Sequence, residues 1–303
     1  MSSKRLVIDK DGKRVLNRLS IHELLSKTPM VRLCGVHNAM SARLAEEAGF
    51  EGCWLSSFEA HASCRLPDAD ILSIPDYADM CNKISDRTSI PVVVDGDAGG
   101  GSPINTIRMV REYGKNGASG ICIEDNQYPK RCSFYEGVSR TLAHPKSHAA
   151  KIRAACDNRI SDDFYVVART EALIVGLSVS EAVDRVGVYR DAGADAILVH
   201  HKGKDPDSMF EVIDKLDYSI PLVAVPTTYN EVTESDLAAH GIKIVIYANY
   251  GIRSAVKAMK STFAIIAENH YLGAANTEVV DMSEIFRLIG VEDLEANEKK
   301  YSV

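Results

Sequence analysis

Short, almost wholly apolar runs alternate with amphipathic stretches from about residue 30 to about residue 270. The runs that read as strands are Met30 to Val36, Gly52 to Ser56, Pro91 to Asp97, Ser119 to Asp125, Phe164 to Thr170, Ala194 to His200, Pro221 to Thr227 and Lys243 to Asn249. Between them, Ser41 to Ala48, Ile104 to Tyr113, Ser147 to Ala155, Ser178 to Ala192, Pro206 to Leu216 and Glu231 to Ala239 carry helical spacing. Strands that are continuous Val/Ile runs are covered on both faces, as parallel strands flanked by helices must be. Eight βα units joined by right-handed crossovers predict an α/β fold, a (β/α)8 TIM barrel. A doubly wound open sheet is the alternative and would usually use fewer strands. The segments Ala48-Gly49-Phe50, Asn116-Gly117-Ala118 and Ala192-Gly193-Ala194 put Gly at helix C-termini, where positive φ is wanted.

Residues before about 20 and after about 275 lie outside the repeat, so residues 1–303 read as a single barrel domain with a C-terminal helical tail. Within Met282 to Tyr301, Ser283-Glu284-Ile285-Phe286-Arg287-Leu288-Ile289 has helical spacing, and its apolar positions need a partner. That partner is either the barrel or another subunit.

Composition narrows the class. At 46% apolar and 25% charged residues, the chain reads as a soluble globular enzyme. A net charge of −7 without a dense Lys/Arg block argues against a nucleic-acid surface. Seven cysteines scattered without CxxC spacing fit neither a disulfide framework nor a zinc knuckle, and point to a reducing compartment. Met1-Ser2-Ser3-Lys4-Arg5 opens no signal peptide, and no run reaches the roughly 18 apolar residues of a membrane span. The expected location is cytoplasmic.

Chemistry is expected where the strands end. Asp95 and Asp97 close one strand, Glu124 closes the next, and Asp68 lies a few residues beyond Trp54-Leu55-Ser56. Taken singly, such acids read as caps and loop residues. Grouped at one mouth they repel and resist ionisation unless a cation sits among them, and hard oxygen ligands of this kind suit Mg2+. Arg169 follows an apolar strand, so its guanidinium enters the mouth, where it suits a carboxylate or phosphoryl group or else pairs with Glu171. His200 ends a strand, with His201 facing the other way. The loop from Glu124 to Gly137 is long and polar, as a lid would be, and carries Lys130, Arg131, Cys132 and Ser133. Beside Lys130 and Arg131, Cys132 is expected to have a lowered pKa if it is chemical, and to be an inert thiol otherwise. Gly99-Gly100-Gly101 lacks the Lys-Ser/Thr of a phosphate loop and reads as a turn before a helix starting near Pro103.

Taken together, Trp54-Leu55-Ser56-Ser57, Pro67-Asp68, Asp95-Gly96-Asp97, Glu124-Asp125, Pro129-Lys130, Ala168-Arg169-Thr170-Glu171-Ala172, Val225-Pro226-Thr227 and Ala248-Asn249 resemble the phosphoenolpyruvate mutase / isocitrate lyase superfamily over nearly the whole chain. The Arg-Thr-Glu-Ala segment, His200 and Val225-Pro226-Thr227-Thr228-Tyr229 resemble its phosphoenolpyruvate mutase and phosphonopyruvate hydrolase branch. The resemblance implies a barrel whose C-terminal helix is exchanged between subunits of a dimer or tetramer, with Mg2+ at the mouth. It implies that Asp95 binds the metal directly and that Asp68, Asp97 and Glu124 hold it through waters. Ser56 and the backbone around Ser57 and Phe58 would orient the pyruvyl oxygens, while Arg169, His200 and the lid residues Lys130, Cys132 and Ser133 would grip the phosphoryl group. The lid departs from the mutase pattern of Glu-Asp-Lys, Pro-Lys and Asn-Ser: here stand Asn126 and Cys132-Ser133. Cys132 resembles the carbon-carbon lyases, yet Ser133 and Phe134 replace their Gly and His. Ala98, Gly100 and Ser102 stand where the family often has Thr, Tyr and Asn.

The leading expectation is therefore Mg2+-dependent interconversion of phosphoenolpyruvate and phosphonopyruvate. The alternatives are hydrolysis of phosphonopyruvate, a lyase acting on a 2-hydroxy or 2-oxo dicarboxylate with Cys132 as acid, and a non-catalytic barrel kept as a binding module.

Overall fold

The computed structural model describes residues 6–8, 14–16, 18–216 and 220–302. The Met1 to Arg5 stretch read above lies outside them. Strands β1 (Leu6–Ile8) and β2 (Arg14–Leu16) pair antiparallel and precede the barrel. Eight strands then close in chain order: β3 (Val31–Val36), β4 (Gly52–Leu55), β5 (Val92–Asp95), β6 (Gly120–Glu124), β7 (Tyr165–Thr170), β8 (Ala196–Val199), β9 (Leu222–Ala224) and β10 (Ile242–Tyr247). Every neighbouring pair in the barrel is parallel, and β10 returns to β3. The predicted (β/α)8 barrel is what forms.

Around the strands run α1 (Ile21–Lys27), α2 (Ala39–Glu47), α3 (Ser57–Ser63), α4 (Ile74–Ser85), α5 (Pro103–Lys115), α6 (Pro145–Asn158), α7 (Val179–Asp191), α8 (Asp207–Asp214) and α9 (Glu234–Ala239). Start signals are local. Asn38, Ser56, Ser102, Ser178 and Thr233 each accept a backbone N–H three residues on, and α4, α5 and α6 open with Pro in the first turn. Helices end where the Gly segments put them, with Gly117 and Gly193 at φ 92° and 100°. Three of these helices, α1, α3 and α4, lie outside the stretches named from the sequence, and α3 and α4 interrupt the repeat itself. Helix α3 is short and follows a strand without a loop, and α4 is interrupted in its apolar pattern by Asp76 and Asp79.

The strands divide the core by period two. In β5, Val92 and Val94 pack outward with the helices, whereas Val93 packs in the barrel interior with Leu33, Trp54, Cys122, Val167, Leu198, Val223 and Ile246. Ile21 and Leu24 of α1 join that interior cluster. Each fully buried Val, Leu or Ile contributes roughly 1.5–3 kcal/mol. The backbone also fits closely: a Cβ on Gly120 would lie 2.5 Å from the Tyr165 carbonyl oxygen, so Gly120→Ala would push β6 off β7.

The described chain divides into two compact units at Asn249/Tyr250. The second holds α10 (Tyr250–Asn269), a 3-10 segment Leu272–Glu278, α11 (Met282–Ile289) and α12 (Val291–Tyr301). The expected tail helix is two helices, broken at Gly290 in a left-handed conformation with φ 79°. Among the described residues no helix is long and apolar enough to cross a membrane.

Candidate active site

The interior period that builds the core also builds the site. Trp54, Val93, Cys122, Val167 and Leu198 are interior positions, and two residues further along each strand come Ser56, Asp95, Glu124, Arg169 and His200. Each is the next inward-facing position, set where the barrel runs out of apolar layers. They line a cleft with about 50 Å³ of free space, enough for a few water molecules. Every site residue read from the sequence lines this cleft except Asp97. A wider groove between α8 and α9, lined by Asp207, Phe210, Glu211, Asp214 and His240, is not part of the site.

Asp97 corrects the expectation that it shares a face with Asp95. Its backbone leaves the extended region, at φ 48°, so strand alternation stops at Gly96. The carboxylate reaches Tyr77 Oη at 3.4 Å and Lys130 Nζ at 2.8 Å. The other acids are unsettled by their neighbourhood. Burial and the nearby Asp97 push Asp95 up to about 6. Burial, offset in part by Arg169, pushes Glu124 up to about 8.

Over the mouth folds the loop after β6. Its base is a short antiparallel ladder: Ala143 N–H donates to Asp125 O at 2.8 Å, Gln127 N–H donates to Thr141 O at 2.9 Å, and Asn126 bridges Leu142. Its tip puts Lys130 into the acids. The ammonium lies 2.8 Å from Asp68 and from Asp97 and donates to Ser57 Oγ at 2.9 Å. Burial alone would discharge it, but Asp97 and Asp68 hold it charged and raise its pKa well above the ordinary value. Lys130 thus occupies a cation position among the carboxylates.

On the opposite wall, Arg169 Nη2 meets Glu124 at 3.2 Å and its Nε donates to Glu171 at 2.7 Å. The ion-pair and mouth-facing readings of Arg169 therefore both hold. Burial opposes Glu171 ionisation, yet Arg169 and His200 hold its carboxyl well below the usual range. His200 Nδ1 sits 2.6 Å from Glu171 Oε1 and 2.9 Å from Arg169 Nη2, between an acceptor and a donor. Burial and the Arg169 charge lower the His200 pKa, keeping the ring neutral. Ser133 Oγ lies 3.5 Å from both His200 Nδ1 and Arg169 Nη2.

Of the two readings of Cys132, the structure favours the inert thiol. The side chain is buried, and burial with the Asp68 charge nearby pushes the thiol up to about 11, outweighing Lys130 and Arg169. Ser56 caps α3 by accepting the Glu59 N–H at 3.3 Å, which leaves its hydroxyl proton free to donate. Ser57 Oγ donates to Asp68 at 3.1 Å, and Phe58 completes that side of the cleft. Sequence reasoning assigned no role to Asn126, whose Nδ2 donates to Glu124 Oε1 at 2.7 Å, nor to Asp70 and Tyr135, which touch the lid and the Asp68 segment. Asn126 shares the alternation of Glu124, a signal that was available.

Comparison with known proteins gives the family. The family model described as Phosphoenolpyruvate phosphomutase matches residues 21–267. A phosphonopyruvate hydrolase from Variovorax sp. (strain Pal2) is 41% identical, over 88% of this chain and 92% of its own. The crystal structure of a phosphoenolpyruvate phosphomutase from Streptomyces platensis subsp. rosaceus superposes with a TM-score of 0.91 at 37% identity, covering 93% of this chain and 98% of that one. A phosphonopyruvate hydrolase in complex with oxalate and Mg++ superposes with a TM-score of 0.84 at 40% identity, covering 90% and 94%. This chain belongs to the phosphoenolpyruvate phosphomutase family of enzymes, within the superfamily that includes the isocitrate lyases.

Proposed function

We propose that this enzyme moves a phosphoryl group within one three-carbon substrate, interconverting phosphoenolpyruvate and phosphonopyruvate, with Mg2+ among its acids. The observation that carries the proposal is the closed cleft: Lys130 and Arg169 stand charged on two walls around about 50 Å³ of space. A loose, metaphosphate-like transition state asks mainly for positioning, fixed positive charge and exclusion of bulk water.

The residues present fit a hydrated Mg2+. Asp97 Oδ1 is buried with no aligned hydrogen-bond donor, facing only the Lys130 charge, and Asp95 and Glu124 are held up by burial. Among the described residues no three ligating side chains converge into a cage for a bare ion. That suits Mg2+, which keeps several waters and takes one or two carboxylates directly. Asp95 would bind it and Asp68, Asp97 and Glu124 would hold its waters. When bound, Mg2+ supplies Lewis-acid stabilisation to the enolate form of the pyruvyl unit.

The chain's own groups do the rest. Ser56 donates its hydroxyl proton to a pyruvyl oxygen, and the backbone at Ser57 and Phe58 orients the carboxylate. Arg169, already locked by Glu171, presents its fork to the phosphoryl oxygens without reorganisation. His200, Lys130 and Ser133 complete that grip, and Cys132 lines it as a neutral thiol. No covalent nucleophile is needed. The exposed apolar side chains Met282, Phe286, Ile289 and Leu294 of α11 and α12 support exchange of this tail with a second copy in a dimer or tetramer. Sedimentation of the full chain tests that, and a monomer would overturn it.

The 41% identity to a hydrolase supports a second reading, in which water captures the phosphoryl group and the products are pyruvate and phosphate. Phosphorus NMR of the purified protein with Mg2+ and phosphonopyruvate separates the two. The expected result is a phosphoenolpyruvate signal that vanishes on chelation of the metal. Phosphate without phosphoenolpyruvate would establish the hydrolase, and an unchanged spectrum would move the assignment to the lyase, with malate-like and oxaloacetate-like acids as the next substrates.

A further inference from the structure

The tip of the lid is tied to a segment that the chemistry above does not use beyond Asp68. Asp70 accepts a hydrogen bond from the Lys130 backbone N–H. Asp68 O accepts from the Cys132 N–H at 3.3 Å, and the Asp68 N–H donates to the Tyr135 hydroxyl at 2.8 Å. Lid positions 130, 132 and 135 are thereby fixed to residues 68 and 70. The receiving segment is itself fastened. Ile71 and Leu72 donate their N–H groups to His61 Nε2 at 3.2 and 3.1 Å, while His61 Nδ1 lies 2.8 Å from Ser57 O. Because Nε2 accepts twice, the ring proton is on Nδ1 and the wholly buried His61 joins α3 to the segment as a neutral pin. On the lid side, Arg140 gathers the Cys132 carbonyl and, at 2.8 Å, the Tyr135 carbonyl.

Asp70 has no other evident reason for its place. Its carboxylate stands near Asp97 and Asp68, where a further negative charge is unfavourable, and its backbone is left-handed at φ 56°. What it gains is the lid's backbone. We propose that Asp70 and Tyr135 are positioning residues, a latch that holds the closed lid in the register at which the Lys130 ammonium meets Asp68 and Asp97. Without the latch the lid still closes, but Lys130, Cys132 and Ser133 no longer stop at fixed places. The inference rests on this cleft being the active site of the proposed reaction.

The test uses the full chain and reads the lid directly. Cys132 is buried under the closed lid and Cys64 is exposed, so alkylation by iodoacetamide, resolved by peptide mass, follows lid opening at Cys132 with Cys64 as internal reference. Asp70→Gly keeps the left-handed backbone at no strain and deletes the acceptor, and Asp70→Asn keeps both. Tyr135→Phe removes the hydroxyl alone. With Asp70→Gly, Cys132 should react about tenfold faster than in the parent while Cys64 is unchanged, as loss of a part-buried hydrogen bond implies. Tyr135→Phe should act in the same direction by about threefold, and Asp70→Asn should stay within about twofold. On phosphonopyruvate, kcat of Asp70→Gly should fall about tenfold with KM changed by less than about threefold, because Asp70 does not line the cleft and acts only on where Lys130 stops. An unchanged Cys132 rate in Asp70→Gly, an Asn variant as fast as the Gly variant, or Cys64 accelerating in step would each overturn the latch. If labelling follows the expected order but phosphonopyruvate is untouched, the latch stands and the reaction assignment falls.

Discussion

Glu124 and Asp125 are adjacent, both buried, and differently served. Asp125 faces out of the barrel and is saturated: it accepts from Thr170 Oγ1 at 2.9 Å, Glu171 N at 2.8 Å, Arg185 Nη1 at 3.2 Å and Tyr189 Oη at 2.7 Å. Glu124 faces the cleft and has Asn126 at 2.7 Å and an Arg169 contact at 3.2 Å, with its carboxyl pushed up to about 8 by burial. Strand alternation sends neighbours to opposite faces. On one face every lone pair is used, as structure requires. On the other, a carboxyl that resists ionisation is retained, as the proposed Mg2+ site requires.

Substitution separates the two faces most sharply. Glu124→Gln should cut turnover of phosphonopyruvate by at least about a hundredfold and leave urea stability unchanged or slightly raised, since a poorly served carboxylate is removed. Asp125→Asn should do the reverse, costing roughly 3–5 kcal/mol in the same urea titration because Arg185 is left without its buried partner. Equal stability losses in both variants would dissolve the contrast.

Lys151 extends the comparison to a buried cation on the outer side. Its Nζ donates to Ala98 O at 2.6 Å, and burial lowers its pKa from 10.5 to about 8. Between those values the unfolded chain holds a proton that the folded chain has lost. Stability from this group therefore rises with pH from about 8 to 10.5, by ~3 kcal/mol at most. Lys151→Met should remove that rise, seen as the difference between parent and variant unfolding curves at pH 8 and pH 10. Parallel curves would mean that the ammonium is solvated.

The smallest effect is expected at Cys132. A neutral thiol that only lines the grip should tolerate Cys132→Ser with less than about a fivefold loss of phosphoryl transfer. Near-abolition, together with turnover of a malate-like or oxaloacetate-like acid by the parent, would reassign the enzyme as a lyase.

Much of this was legible in the sequence because the barrel writes its mouth with period two. Asp95, Glu124, Arg169 and His200 each stand two residues past an interior side chain, so counting along an apolar run finds them. Counting fails at Asp97, where a left-handed residue ends the alternation, and cannot reach Lys130, which meets Asp68 across 62 positions of chain. Cys132 stayed open for a related reason. Cations adjacent in sequence allowed a low pKa beside the inert thiol, and burial and Asp68, neither visible in the local sequence, decide between them.

The ladder at the base of the lid carries an evolutionary consequence. Residues 125–127 and 141–143 face each other as a narrow neck, and the neck is rooted in the saturated Asp125. Everything between those ends can be exchanged as a cassette without disturbing a hydrogen bond between barrel strands. A lineage can thus trade one reactive tip for another while the residues that close the barrel strands are inherited intact.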